Sequence, residues 1–230
     1  MVKESLFLTK KLVVLVSGQG SNLEAIRTAC DNGQIPETRI AAVISNRPTA
    51  PALGRAIEAG IPAVTLDHHA HARRADFDMA LQKQIDHYAA DVVVLAGFMR
   101  QLTPAFVQHY AGRILNIHPS LLPAFPGLHT HARALAQGVF WHGASVHFVT
   151  EGLDGGPIII QAAVAVLPGD DEKSLAARVL AAEHRIYPQA LAWLVSGRVR
   201  YTTEGTHWRE KPQTNVREAI APSLEPPREP

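Results

Sequence analysis

Residues 12–16 are apolar without a break, and residues 91–96 repeat the pattern as Asp-Val-Val-Val-Leu-Ala. Such runs are too short to cross a membrane and do not alternate; they belong to strands covered on both faces of a parallel sheet. After the first run, Leu23, Ile26 and Ala29 keep helical spacing up to a stop at Asn32-Gly33. Residues 40–45 read as the next strand, 50–59 as a helix closed by Gly60, and 63–66 as a short third strand. Strand and helix in alternation are the mark of right-handed βαβ units. Phe77, Leu81, Ile85 and Tyr88 then place an amphipathic helix at 75–88, and 104–110 reads as a further helix before a strand at 114–118.

Beyond residue 118 the pattern changes. A proline-stiffened loop leads into a helix at 131–137, and residues 144–149 alternate, with Ser145 and His147 on one face. A glycine-rich turn, Glu151-Gly152-Leu153-Asp154-Gly155-Gly156-Pro157, joins this strand to another at 158–166, and so short a connection makes the pair antiparallel. Residues 174–196 are helical in period, 198–202 read as a last edge strand, and from Gly205 onward a loosely held tail is expected. The expected fold is α/β: a Rossmann-like three-layer sandwich, its central sheet mostly parallel with an antiparallel C-terminal extension. There are no internal repeats and no linker, so 12–202 reads as one domain, with an N-terminal extension (1–11) and a C-terminal tail (203–230).

The chain's 230 residues, 47% hydrophobic, suffice for one sizeable core, and a net charge of +1 argues for neither nucleic acid nor membrane as partner. A single cysteine, Cys30, excludes an internal disulfide or a Cys-rich metal site and suits a reducing compartment; without a signal-peptide pattern, the expected location is cytoplasmic.

Three groups of residues carry chemistry. The first strand ends in Ser17-Gly18-Gln19-Gly20-Ser21-Asn22, where Ser21 and Glu24 have capping-box spacing. A glycine turn entering a helix N-terminus at the carboxyl edge of a sheet suits a phosphate, although this is neither a dinucleotide fingerprint nor a P-loop. Downstream, His68, His69 and His71 with Arg73 and Arg74 make a basic loop. The histidines match no ligand motif, and no cysteine or clustered carboxylate supports a metal, so none is expected. Arg74 is the chosen phosphate partner, because a guanidinium matches phosphate oxygens in pairs.

The second group is Asn116 and His118, side by side on one strand face next to Pro119. An amide donor beside an imidazole polarises a carbonyl and handles a proton at one centre; the plainer reading is two satisfied interior polar groups. Asp154 either orients His118 or accepts developing charge. No Ser or Cys stands in a nucleophile motif, which favours direct transfer. Gly97-Phe98-Met99-Arg100-Gln101-Leu102, at the end of a buried strand, makes a wall for a flat ligand. Third, Glu183 falls on the apolar stripe of Leu175, Val179 and Ile186, where a carboxylate needs a partner or a ligand hydroxyl.

These motifs, together with Asn116-Ile117-His118-Pro119-Ser120-Leu121-Leu122-Pro123 and Leu153-Asp154-Gly155-Gly156-Pro157, resemble in order and spacing the monofunctional phosphoribosylglycinamide formyltransferases of purine synthesis, over about residues 11–202. The resemblance implies the formyltransferase fold and 10-formyltetrahydrofolate as co-substrate, with glycinamide ribonucleotide as acceptor. It implies that Asn116 and His118 stabilise the tetrahedral intermediate while Asp154 holds His118 charged and assists proton transfer. Gly18, Gly20, Ser21 and Asn22 would bind the phosphate with Arg74 closing over it, and Glu183 would take the ribose hydroxyls. The folate would sit between Met99, Arg100, Gln101 and Leu102 on one side and the loop from Val149 to Asp154 on the other. No metal is implied, and the chain would act as a monomer or homodimer. Phe140-Trp141-His142 is bulkier than the family pattern.

Related activities fit less well. A methionyl-tRNA formyltransferase should carry a further RNA-binding domain, and a formyltetrahydrofolate hydrolase a regulatory one; the phosphate turn argues against a sugar-nucleotide formyltransferase. A non-catalytic nucleotide-binding module would need neither His118 nor Asp154.

Overall fold

The structure, a computed structural model, describes residues 9–212 and 220–221. Most of the expected N-terminal extension and parts of the tail lie outside the described residues. The first half runs β1 (Lys10–Val16), α1 (Ser21–Asp31), β2 (Thr38–Ser45), α2 (Pro51–Glu58), β3 (Ala63–Thr65), α3 (Arg74–His87), β4 (Val92–Leu95), α4 (Pro104–His109) and β5 (Ile114–His118). The second half runs α5 (Thr130–Ala136), β6 (Trp141–Phe148), β7 (Ile158–Ala165), α6 (Glu172–Val195), β8 (Val199–Thr202), β9 (Gly205–Trp208) and β10 (Ile220–Ala221).

The main sheet has the order β10-β7-β6-β5-β4-β1-β2-β3. From β3 to β5 neighbours are parallel, and β6, β7 and β10 each join antiparallel, as the expected extension requires. The unbroken apolar run of β1 is used on both faces. Leu12, Val14 and Val16 pack with α1, α2 and α6, while Val13 and Leu15 pack with Phe77, Leu81 and Ile85 of α3 and Phe106 of α4. Helix layers therefore cover both faces, giving three layers. The chain leaves β1 toward β2 and β3, then crosses to β4 on the other side of β1, which makes the β1/β4 boundary the switch point of the sheet. In open α/β sheets, ligands bind at such a point, outside the carboxyl ends of the strands.

Several local expectations are corrected. The Ser21–Glu24 capping box is not formed: Gly20 takes the cap position at φ 79°, so Ser21 is already the first helical residue. The Glu24 side chain pairs with Arg27 instead, at 3.0 Å. A capping box does exist at α6, where Asp171 and Ser174 bond reciprocally and start the helix at Glu172, two residues before the predicted start. Residues 198–202 do not edge the main sheet; β8 pairs with β9, which lies in the expected tail, in a separate hairpin, and β10 pairs with β7. Among the described residues no helix is long and apolar enough to cross a membrane.

Candidate active site

Strand β5 ends at the switch-point edge and turns Asn116 and His118 to one face. Across the antiparallel register, Asn116 stands opposite His147 and His118 opposite Ser145. Buried His118 places Nε2 2.9 Å from the Phe125 carbonyl, so that nitrogen donates, and its Nδ1 is 3.4 Å from Asp154 Oδ2. Both neighbours are acceptors, and an imidazolium satisfies both at once. Asp154 Oδ2 also accepts the Gly127 N–H at 2.8 Å. The aspartate sits at φ 49°, a conformation uncommon for a residue with a side chain and concentrated at functional sites. Two residues on, a Cβ at Gly156 would run into the Phe148 carbonyl, so glycine is what lets the turn fold back against β6.

His147 was not among the predicted site residues. Its Nδ1 donates to the Phe148 carbonyl at 2.9 Å, leaving the Nε2 lone pair to accept from Asn116 Nδ2 at 3.2 Å. Burial pushes the His147 imidazole below its ordinary pKa, which keeps that lone pair free. His147 Nε2 is also 3.9 Å from Asp154 Oδ1. One sequence signal pointed to it, the alternation that put Ser145 and His147 on one face.

Asn116, His118, His147 and Asp154 line a single cavity of about 510 Å³, walled by Met99, Arg100, Gln101 and Leu102 on one side and by residues 149–154, Val149 included, on the other. The predicted catalytic trio and the predicted folate segments thus share one cleft. Met99 is 59% exposed. Arg100 lays its guanidinium over the Phe77 ring at 5.2 Å, and Gln101 Oε1 accepts from Arg74 Nη1 at 3.3 Å.

Those contacts include Arg74, the expected phosphate partner. Its hydrogen bond lies at the cleft wall, and among the described contacts none joins it to the glycine turn. A different arginine meets that turn, Arg55, whose Nε donates to the Gln19 carbonyl at 3.0 Å. Gly18 has open space where a Cβ would project, whereas Gly20 is closed in by Ala52 of α2. Asn22 Nδ2 donates to Glu183 Oε2 at 2.6 Å, which gives the odd carboxylate on the apolar stripe its partner. Burial raises the Glu183 carboxyl to about 7, against the opposing effect of that hydrogen bond, and Asn22 Oδ1 is buried with no partner. The glycine-turn group does not line the catalytic cavity. It stands two strands away, about 10 Å at the usual interstrand spacing, at the same edge of the sheet.

The histidine loop also differs from expectation. Asp67 supplies a neighbouring carboxylate, and donor atoms of Asp67, His68 and His69 lie within 4.8 Å of one another. His68 Nδ1 is engaged with the Asn46 carbonyl at 2.8 Å.

The sequence model of the formyl transferase family matches residues 10–191. Over 189 residues the chain is 56% identical to a phosphoribosylglycinamide formyltransferase of Escherichia coli (strain K12), covering 82% of this chain and 89% of that one. A solved phosphoribosylglycinamide formyltransferase from Coxiella burnetii superposes with a TM-score of 0.82 at 50% identity, covering 86% of this chain and 93% of the other. Glycinamide ribonucleotide transformylase 1 from Symbiobacterium toebii gives a TM-score of 0.85 at 46% identity, covering 89% and 96%.

Proposed function

This chain belongs to the formyl transferase family, and we propose that it carries the formyl group of 10-formyltetrahydrofolate to the amine of N1-(5-phospho-D-ribosyl)glycinamide, giving the N2-formyl product and tetrahydrofolate in purine synthesis. The observation that carries this reading is the joining of Asn116, His118 and Asp154 in one cleft at the carboxyl edge of β4 and β5.

The substrate amine attacks the formyl carbon, a tetrahedral intermediate forms, and the bond from that carbon to the folate nitrogen breaks. Charge develops on the formyl oxygen. Asn116 meets it with an amide whose other N–H is fixed by His147, and the His118 imidazolium adds a second donor. Asp154 keeps the imidazolium paired and takes part in moving the proton from the attacking amine to the departing folate nitrogen. The folate stacks between residues 99–102 and 149–154. The phosphate rests on Gly18, Gly20, Ser21 and Asn22 at the start of α1, where backbone N–H groups and the helix dipole favour an anion. Glu183, tied to Asn22, receives the ribose hydroxyls; Arg74 serves the folate side of the cleft.

The test is folate release, followed by absorbance, with each substrate omitted in turn. Release that requires both substrates is the expected result. Release without the ribonucleotide would make the protein a hydrolase, and no release with both would overturn the reading.

A further inference from the structure

The wall formed by residues 98–103 has neither helix nor strand, so no backbone ladder holds it in place. Two buried side chains tie it at its ends. Met99 N–H donates to Ser17 Oγ at 2.8 Å, and Thr103 N–H donates to Asp78 Oδ2 at 2.6 Å. Each acceptor is 3% exposed. Ser17 has its own hydroxyl proton committed to Asn46 Oδ1 at 2.5 Å, which turns a lone pair toward Met99. Asn46 is buried as well, and its backbone carbonyl is met by His68 Nδ1. At the other end, Asp78 shares a face of α3 with Arg74 and Phe77, the residues that hold Gln101 and Arg100. Three residues of one helix face therefore meet three members of one irregular segment.

From this frame we infer that Ser17 and Asp78 are positioning residues for the folate: they hang the wall by its two ends and set where its exposed side chains and backbone meet the ligand. The inference rests on the proposed reaction, because it takes the wall as the donor's seat. Ser17 also joins the two halves of the site, standing directly before the glycine turn while it holds Met99 near the start of the wall. Neither residue touches a reacting atom, so its loss should act on donor binding and alignment.

The experiment compares Asp78→Ala, Asp78→Asn, Ser17→Ala and Ser17→Thr by steady-state formyl transfer, with thermal unfolding as the control for folding. Asp78→Ala should raise the KM for 10-formyltetrahydrofolate about tenfold or more, while the KM for the ribonucleotide moves less than twofold. Asp78→Asn keeps an amide oxygen for Thr103 N–H and should restore most of the loss; Ser17→Thr should do the same for Ser17→Ala. Calorimetric titration with tetrahydrofolate reads the same change without turnover. If the two KM values rise together, if neither moves, or if the conservative variants fail to rescue, the positioning role is overturned while the proposed reaction stands. A wild-type protein that neither transfers formyl nor binds tetrahydrofolate overturns both.

Discussion

His147 decides which way Asn116 faces. An amide can present oxygen or nitrogen to a carbonyl, and only the nitrogen end stabilises an oxyanion. The His147 ring, its Nδ1–H held by a backbone carbonyl, offers a lone pair that the oxygen end would repel. Asn116→Ala should therefore lower kcat by about 10²–10³-fold. His147→Ala should cost about tenfold alone and almost nothing more when added to Asn116→Ala. Rates of the four proteins in a double-mutant cycle check this, and additive losses would contradict it. Asn116 and His118 were legible because two-residue spacing in a strand is a local fact. The part played by His147 was not, because it depends on the register between β5 and β6, and a slip of one residue would have faced it away. For Arg74 only the residue type is a local fact. Its chemistry suits a phosphate, but where a long side chain reaches is set by the placement of α3, which no local pattern states.

At the scale of elements, α6 brings a carboxylate under the sheet and couples its charge to stability. Glu183 titrates near 7 in the folded protein because burial disfavours the anion. Its folded pKa lies above its unfolded one, so its favourable contribution is complete below the unfolded value and is lost as pH rises through about 7. Between pH 4.5 and 7 the wild type should lose on the order of 3 kcal/mol relative to Glu183→Gln. Denaturant unfolding of both proteins across that range measures the difference, and parallel curves would contradict it. The sequence placed Glu183 on an apolar stripe correctly because helical period is local. It misplaced the caps for the opposite reason: Ser21 and Glu24 have the right spacing, but whether a box forms depends on the left-handed backbone of Gly20, held against Ala52.

Taken whole, the molecule gathers its chemistry along the carboxyl edge of β1, β4 and β5, beside the point where strand order reverses. Buried strands, the antiparallel return and the mostly parallel sheet could all be read from apolar runs and turn length. The position of β1 between β4 and β2, which creates the switch point, could not. Nor could the pairing of β8 with β9, whose short strands are bounded by polar residues. It packs Trp208 against Trp193 of α6, ring centroids 5.0 Å apart, and donates from Thr206 Oγ1 to the Ile158 carbonyl at 2.8 Å. Trp208→Ala should cost about 2 kcal/mol, and truncation after Thr202 more; chemical denaturation reads both, and unchanged midpoints would show the hairpin to be dispensable.

Formyl transfer runs, in the proposed reaction, through the carboxylate on the turn after β6. Single-turnover formyl transfer from 10-formyltetrahydrofolate to the ribonucleotide, with wild type beside Asp154→Asn and both substrates saturating, tests it most directly. The chemical step of the variant should be slowed about 10³-fold or more, because an amide neither balances the imidazolium charge nor accepts a proton, with both substrates still bound. A variant that transfers formyl at the wild-type rate would contradict it.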